Sequence, residues 1–173
     1  MKTTLSLIAL SLCLSQAAHA FTFNIEYIGE SKPADVERIE KIKLRIEEVV
    51  KTDAFKDLVV RYNNYSCYNK KNLPSGVSTT QDILNHIEKA APSIKVAFYQ
   101  TSPNVLGSTS GKTISFNTNN FITRTDASVG NTLFHETLHT LGYGHCGKNN
   151  IKLFPKIKRS VPYKLGDFTE TLY

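Results

Sequence analysis

The sequence of 173 residues lacks any apolar segment long enough to cross a membrane. Its longest apolar run, Leu5 to Leu14, has about half of the roughly 20 residues that a spanning helix requires. Internal repeats, linkers and low-complexity tracts are also absent from the sequence. These absences exclude a membrane span and a repeat architecture.

The first 20 residues have the organisation of a secretory signal peptide. Lys2 supplies the charged start, Leu5 to Leu14 supplies the apolar run, and Ala18-His19-Ala20 fits an A-x-A cleavage site. We expect residues 1–20 to be removed and residues 21–173 to form a single domain, a length that allows one sizeable core. The expected location is therefore secreted or periplasmic.

Positive charge exceeds negative charge only modestly, by a formal +6. Six of the positively charged residues form a cluster between positions 148 and 164, and clusters of this kind favour acidic partners, membrane surfaces or nucleic acid. No helix-turn-helix pattern or aromatic stacking platform accompanies this cluster, so we interpret it as a solvated loop and expect no nucleic-acid partner. The cluster consists of Lys148, Lys152, Lys156, Lys158, Arg159 and Lys164.

The most informative segment runs from His135 to His145 and reads HETLHTLGYGH. Residues four apart lie on one face of a helix, so His135 and His139 can direct ring nitrogens to one point, with Glu136 beside them. The chain must then turn sharply to bring His145 back, and Gly142 stands where a left-handed helix end costs least. The spacing predicts three metal ligands and one carboxylate at a single site.

Three histidines and a neighbouring carboxylate suit a catalytic zinc ion. Zinc with three protein ligands keeps a fourth position for water, and lowers the pKa of that water towards about 7. Glu136 can take the proton and pass it to a leaving amine, as peptide hydrolysis requires. The alternative is a buried amphipathic helix that contains histidines by chance. A shuffled chain shows HExxH roughly once in 140 trials, but the complete pattern only about once in 100,000.

HExxHxxGxxH resembles the signature of the metzincin clan of zinc metalloendopeptidases. The resemblance implies that His135, His139 and His145 bind Zn²⁺, that Glu136 is the general base and acid, and that Gly142 forms the turn. It also implies an α/β (α+β) fold with a mixed sheet, backing helices and an active-site helix across the cleft. The implied substrate is an extended polypeptide.

The sequence departs from the clan at the methionine-containing turn beneath the metal. Its only methionine is Met1, so the best substitute is Ser160-Val161-Pro162-Tyr163. Val161 takes the place of the methionine, since a branched aliphatic side chain fills comparable space. Tyr163 takes the place of the clan's tyrosine and is our second candidate catalytic residue. The alternative interpretation is a surface turn with a Pro-fixed corner.

Cysteine is scarce, with three residues in the whole chain. Cys13 would leave with the signal peptide, so Cys67 and Cys146 remain as an even pair in an oxidising compartment, and we predict a disulfide between them. One alternative is two unpaired thiols. Another is Cys146 as a zinc ligand beside His145, which is disfavoured because a fourth protein ligand would close the site to water.

Hydrophobic periodicity predicts the order of the elements. We expect the active-site helix to begin at Asp126 as its N-cap and to bury Val129, Leu133 and Leu138. His86 is expected on a helix surface. In the resemblance, the last strand before the active-site helix lies near an exposed sheet edge that pairs with substrate; a plain half-buried strand is the alternative. Strands are predicted at 21–28, 58–62, 94–100 and 112–117, helices from Pro33 and from Thr79 or Thr80, and coil or short helix at 151–155 and 168–173.

The sequence is therefore interpreted as a secreted, monomeric zinc metalloendopeptidase. A catalytically silent zinc-site domain used for adhesion or binding is the main alternative, and it is disfavoured because folding does not require Glu136. A zinc amidase that acts on small peptides or cell-wall fragments is a second alternative.

Overall fold

A computed structural model describes residues 21–65, 72–100, 106–145 and 158–173. The predicted signal peptide, Cys67, Cys146 and the segment 151–155 lie outside the described residues. Among the helices that are described, none is long and apolar enough to cross a membrane.

The described residues form a mixed α/β fold, which confirms the predicted class. Its sheet has four strands, in the spatial order β1, β2, β4, β3. β1 and β2 are parallel, as are β2 and β4, whereas β3 runs antiparallel to β4. The strands are Asn24–Tyr27 (β1), Ser93–Tyr99 (β2), Gly107–Ser110 (β3) and Thr113–Asn117 (β4), and the helices are Pro33–Lys51 (α1), Asp53–Arg61 (α2), Thr80–Glu88 (α3), Thr118–Thr123 (α4), Asp126–Thr140 (α5) and Val161–Leu172 (α6).

β4, which was predicted to lie near an exposed edge of the sheet, is separated from that edge by one strand. It pairs with β2 on one side and β3 on the other, so β3 is the edge strand. β3 is not predicted from the sequence because its residues, GSTS, show no apolar alternation. Hydrogen bonding to β4 makes this segment a strand.

The predicted strand at 58–62 is wrong, because these residues belong mostly to helix α2. Thr52 caps the helix by accepting a hydrogen bond from the Phe55 amide at 3.2 Å. Phe55 and Val59, four residues apart, place both of their side chains on the buried face. The adjacent β-branched residues Val59 and Val60 favour a strand locally. The N-terminal cap and the burial of one helix face override that preference.

α5 is buried along most of its length against the sheet and the other helices. Val129, Leu133 and Leu138 are fully buried, as predicted. Phe134 contacts Phe21 through ring centroids 5.5 Å apart. The predicted N-cap, Asp126, is wrong by one residue. Thr125 is the cap, because its side chain accepts a hydrogen bond from the Ser128 amide at 3.2 Å.

Candidate metal centre

The structure brings His135, His139 and His145 together at the end of α5. The Nε2 atom of His145 lies 3.2 Å from Nε2 of His135 and 3.0 Å from Nε2 of His139. His135 is buried, with 8% of its surface exposed, whereas His139 and His145 are half-buried. Three ring nitrogens therefore converge on one point, as the spacing predicts.

This geometry fits a tetrahedral zinc ion. Zinc bonds to imidazole nitrogens at roughly 2.0–2.1 Å, which places two such nitrogens about 3.4 Å apart in a tetrahedron. The separations of 3.2 and 3.0 Å are close to that value. Imidazole is also a donor that zinc prefers. The three histidines can therefore hold a metal ion, and their spacing fits zinc.

A tight turn after α5 carries the third histidine back to the first two. Gly142 has a φ of 94°, in the left-handed region where residues with a Cβ are strained. Its amide donates to the His139 carbonyl at 3.0 Å, and the Tyr143 amide donates to the Leu138 carbonyl at 3.0 Å. These bonds satisfy carbonyl groups at the end of the helix and fix the direction of the chain towards His145.

Tyr143 anchors this turn from the protein interior. Its side chain is 1% exposed, and its hydroxyl lies 3.0 Å from Nδ1 of His86 on α3. The Tyr143 carbonyl accepts a hydrogen bond from Nδ1 of His139 at 2.7 Å, which leaves the lone pair of His139 Nε2 directed at the cluster. The predicted surface position of His86 is wrong: this residue is half-buried, and burial lowers its pKa.

Ser160 supports the third histidine. Its hydroxyl lies 2.7 Å from Nδ1 of His145, and its side chain is fully buried. Ser160 occupies the N-cap position of α6 yet makes no capping hydrogen bond, because its hydroxyl is directed at the imidazole instead. This role of Ser160 is not predicted from the sequence, since a serine before a helix is ordinarily a cap.

Replacing Ser160 with alanine is expected to weaken zinc binding by about 10- to 100-fold, the usual range for the partner of a metal ligand. The imidazole of His145 would lose the hydrogen bond that orients it. Competition with a chromophoric chelator at fixed pH measures the affinity. Ser93→Ala, at an exposed serine of β2, serves as the matched control. Equal affinities for all three proteins would show that Ser160 does not support the ligand.

Burial favours the neutral form of His135 and His145, which is the form that binds a metal. It lowers the pKa of His135 to about 3, with a further contribution from the positive charge that His139 and His145 can carry. Burial also lowers the pKa of His145 to about 4, helped by His139. Both imidazoles are therefore uncharged at neutral pH, with nitrogen lone pairs ready to bind a cation.

Glu136 lies beside the histidines, half-buried on the face of α5 that lines a cavity. Its Oε2 atom accepts a hydrogen bond from the hydroxyl of Thr109, on the edge strand β3. Among the described residues, the group that could hold a metal ion consists of the three histidines and does not include Glu136. The carboxylate shares the lining of the cavity with His135.

Tyr163 also reaches the cluster. Its ring centroid lies 4.5 Å from that of His135 and 4.9 Å from that of His145. Burial raises the pKa of Tyr163, as do the negative charges of Glu136 and Asp167, so the phenol keeps its proton at neutral pH. A protonated phenol beside the histidines can donate a hydrogen bond.

Close packing of α6 on α5 sets the position of Tyr163. At Gly166, an added Cβ would clash with Oδ1 of Asn131 on α5 and lie 3.3 Å from the Asn131 carbonyl oxygen, so glycine eases this close approach. The segment at 160–163 is the start of α6, and Ser160, Val161 and Pro162 are buried. The alternative of a surface turn is therefore wrong. Val161 is buried, and its predicted role as the floor of the histidine cluster stays a prediction.

A cavity of about 580 Å³ adjoins the cluster. It extends along α5 from His135 and Glu136 towards Arg124, between α5 and α6. Its walls are mostly polar or charged, and Leu106 is the main aliphatic side chain among the described lining residues. His135, the Glu136 carboxylate and the Tyr163 phenol thus line one cleft.

Comparisons with protein-family models, curated proteins and solved structures give no match to this chain.

Proposed function

We propose that this protein is a secreted zinc-dependent endopeptidase of the metzincin type. The observation that carries the proposal is the convergence of three Nε2 atoms, one of them from His135, which lines a cleft together with the Glu136 carboxylate and the Tyr163 phenol. A structural zinc site is closed by four protein ligands. Within the part of the chain that the structure describes, the group that could hold a metal ion has three ligands, all histidines, which favours a catalytic site over a structural one.

Each group has a distinct task in peptide hydrolysis. Zinc, when bound by His135, His139 and His145, lowers the pKa of water at the site and polarises a peptide carbonyl. Glu136 accepts a proton from the attacking water at a carboxylate oxygen and delivers it to the leaving amine nitrogen. Tyr163 donates its phenolic proton in a hydrogen bond to the oxygen on which negative charge develops.

The cleft suits an extended polypeptide. Within the described residues, β3 pairs on one side only, with β4, so its other edge has main-chain groups available for an added strand. The cavity continues from the histidines along α5 and can hold a side chain next to the reacting bond. A peptide paired with β3 would pass directly over Glu136.

Export and disulfide formation complete the proposal. The signal sequence would deliver the chain to an oxidising compartment, where Cys67 and Cys146 would pair. Because Cys146 follows His145 directly, the bond would tether the segment that carries the third ligand. Closing a loop of about 80 residues stabilises a fold by at most roughly 4 to 5 kcal/mol.

Turnover of casein or gelatin by the purified exported protein tests the proposed function. We expect hydrolysis that a zinc chelator abolishes and that added zinc restores. Zinc-loaded protein that cleaves no polypeptide would overturn the proposal in favour of a silent binding domain. Cleavage confined to small cell-wall peptides would overturn it in favour of an amidase.

A further inference from the structure

The edge strand β3 lies against the face of α5 that carries the candidate general base. Gly107 contacts α5 at Thr132: a Cβ on Gly107 would lie 2.9 Å from Cγ2 of Thr132, so glycine permits the close approach. Two residues further along β3, Thr109 reaches Glu136, four residues further along α5. Two residues of a strand span about 6.8 Å and four residues of a helix about 6.0 Å. The Gly107–Thr132 and Thr109–Glu136 contacts are therefore similarly spaced along β3 and along α5.

Thr109 makes a directed contact with the carboxylate. Its hydroxyl donates to Oε2 of Glu136 and lies 3.4 Å from the carbonyl oxygen of the same residue. Within the described parts of the chain, this is the only hydrogen bond to the Glu136 carboxylate. Thr109 is itself partly buried, whereas its neighbours Ser108 and Ser110 face outward, as alternation along a strand requires.

We infer that Thr109 is a positioning residue, which holds the Glu136 carboxylate in the orientation needed for proton transfer. This inference rests on the proposed function. A glutamate side chain has several rotatable bonds, and proton transfer requires a heavy-atom distance of roughly 2.6–3.2 Å to the reacting group. A hydrogen bond at Oε2 restrains the side chain and leaves Oε1 to exchange the proton. The strand proposed to hold the substrate therefore also holds the base.

Thr109→Val and Thr109→Ser form the matched pair that tests this role. Valine keeps the shape and removes the hydroxyl, whereas serine keeps the hydroxyl. We expect valine to lower kcat by about 10- to 100-fold, the range for one hydrogen bond to a charged group, with KM changed less than about twofold. Serine should restore most of the activity. Zinc content and thermal midpoint should be the same in all of these proteins.

A double-mutant cycle separates an effect through Glu136 from a general structural effect. In a Glu136→Gln background, Thr109→Val should cause no further loss, because the group that it positions is already inactive. Equal losses in both backgrounds would overturn the inference, as would full activity of Thr109→Val. Full activity of Glu136→Gln would instead overturn the proposed function. A crystal structure of Thr109→Val tests the inference without an activity assay. We expect the Glu136 carboxylate to be reoriented or disordered in this variant, and an unchanged carboxylate would overturn the inference.

Gly107→Ala provides an independent test of the same contact. The added Cβ would press on Cγ2 of Thr132 and move β3 away from α5, which should lower kcat in the same way. Adding Thr132→Ser removes that Cγ2 atom and should restore the activity. If Thr132→Ser did not restore the activity and Thr109→Val had an unchanged kcat, β3 would not be what positions Glu136.

Discussion

Replacing Glu136 with alanine is expected to abolish nearly all peptide hydrolysis while the protein stays folded and keeps its zinc. The carboxylate faces the cavity and takes no part in the contacts among the three Nε2 atoms, so its loss removes the proton shuttle alone. Shuttles of this kind contribute about 10² to 10⁴ in rate. Elemental analysis of zinc and turnover of a quenched peptide, measured on the same sample, give both results.

Glu37→Ala is the matched control, since Glu37 is an exposed glutamate of α1. It should equal the unmodified protein in zinc content and turnover. If Glu136→Ala turned over peptide as fast as this control, Glu136 would have no role as the base. If Glu136→Ala lost its zinc, the residue would act in holding the metal.

Replacing Tyr163 with phenylalanine is expected to lower kcat on the order of 100-fold, because a hydrogen bond to the developing oxyanion contributes roughly 3 kcal/mol. The ring would still pack against His135 and His145, so the thermal midpoint should hardly change. Steady-state kinetics and thermal unfolding measure the two quantities.

Tyr27→Phe is a control with the opposite expected signature. Tyr27 lies on β1, and its hydroxyl donates to Glu40 at 2.9 Å, in a contact outside the candidate site. Its loss should lower the free energy of unfolding by about 1 kcal/mol and leave kcat unchanged. A Tyr163→Phe variant with normal kcat would show that the phenol only fills space beside the histidines.

The residues at the centre of the site could be predicted from the sequence because their geometry is local. Four-residue spacing on one helix aligns His135 with His139, and the left-handed Gly142 is a local cause of the turn towards His145. Tyr163 is separated from this motif by a stretch of chain with no regular pattern. It could be proposed only through a resemblance to the metzincin clan, and the structure places its ring against two of the histidines.

The supporting residues could not be predicted, since each acts through packing between distant elements. Thr109 meets Glu136 only because β3 lies on α5, and β3 has no periodic signal of its own. His86 contacts Tyr143 only because α3 lies behind the turn. Ser160 has the sequence context of a helix cap, and only the folded position of His145 gives its hydroxyl another partner. Contacts of this kind depend on the tertiary fold, not on spacing along the chain.

We expect one zinc ion to bind where the three Nε2 atoms converge. Anomalous diffraction from a crystal of the zinc-loaded protein, recorded above and below the zinc absorption edge, locates the ion. We predict one anomalous peak about 2.0–2.1 Å from Nε2 of His135, His139 and His145, with no fourth protein ligand. No peak at this position, or a peak whose fourth ligand is Cys146, would contradict the account.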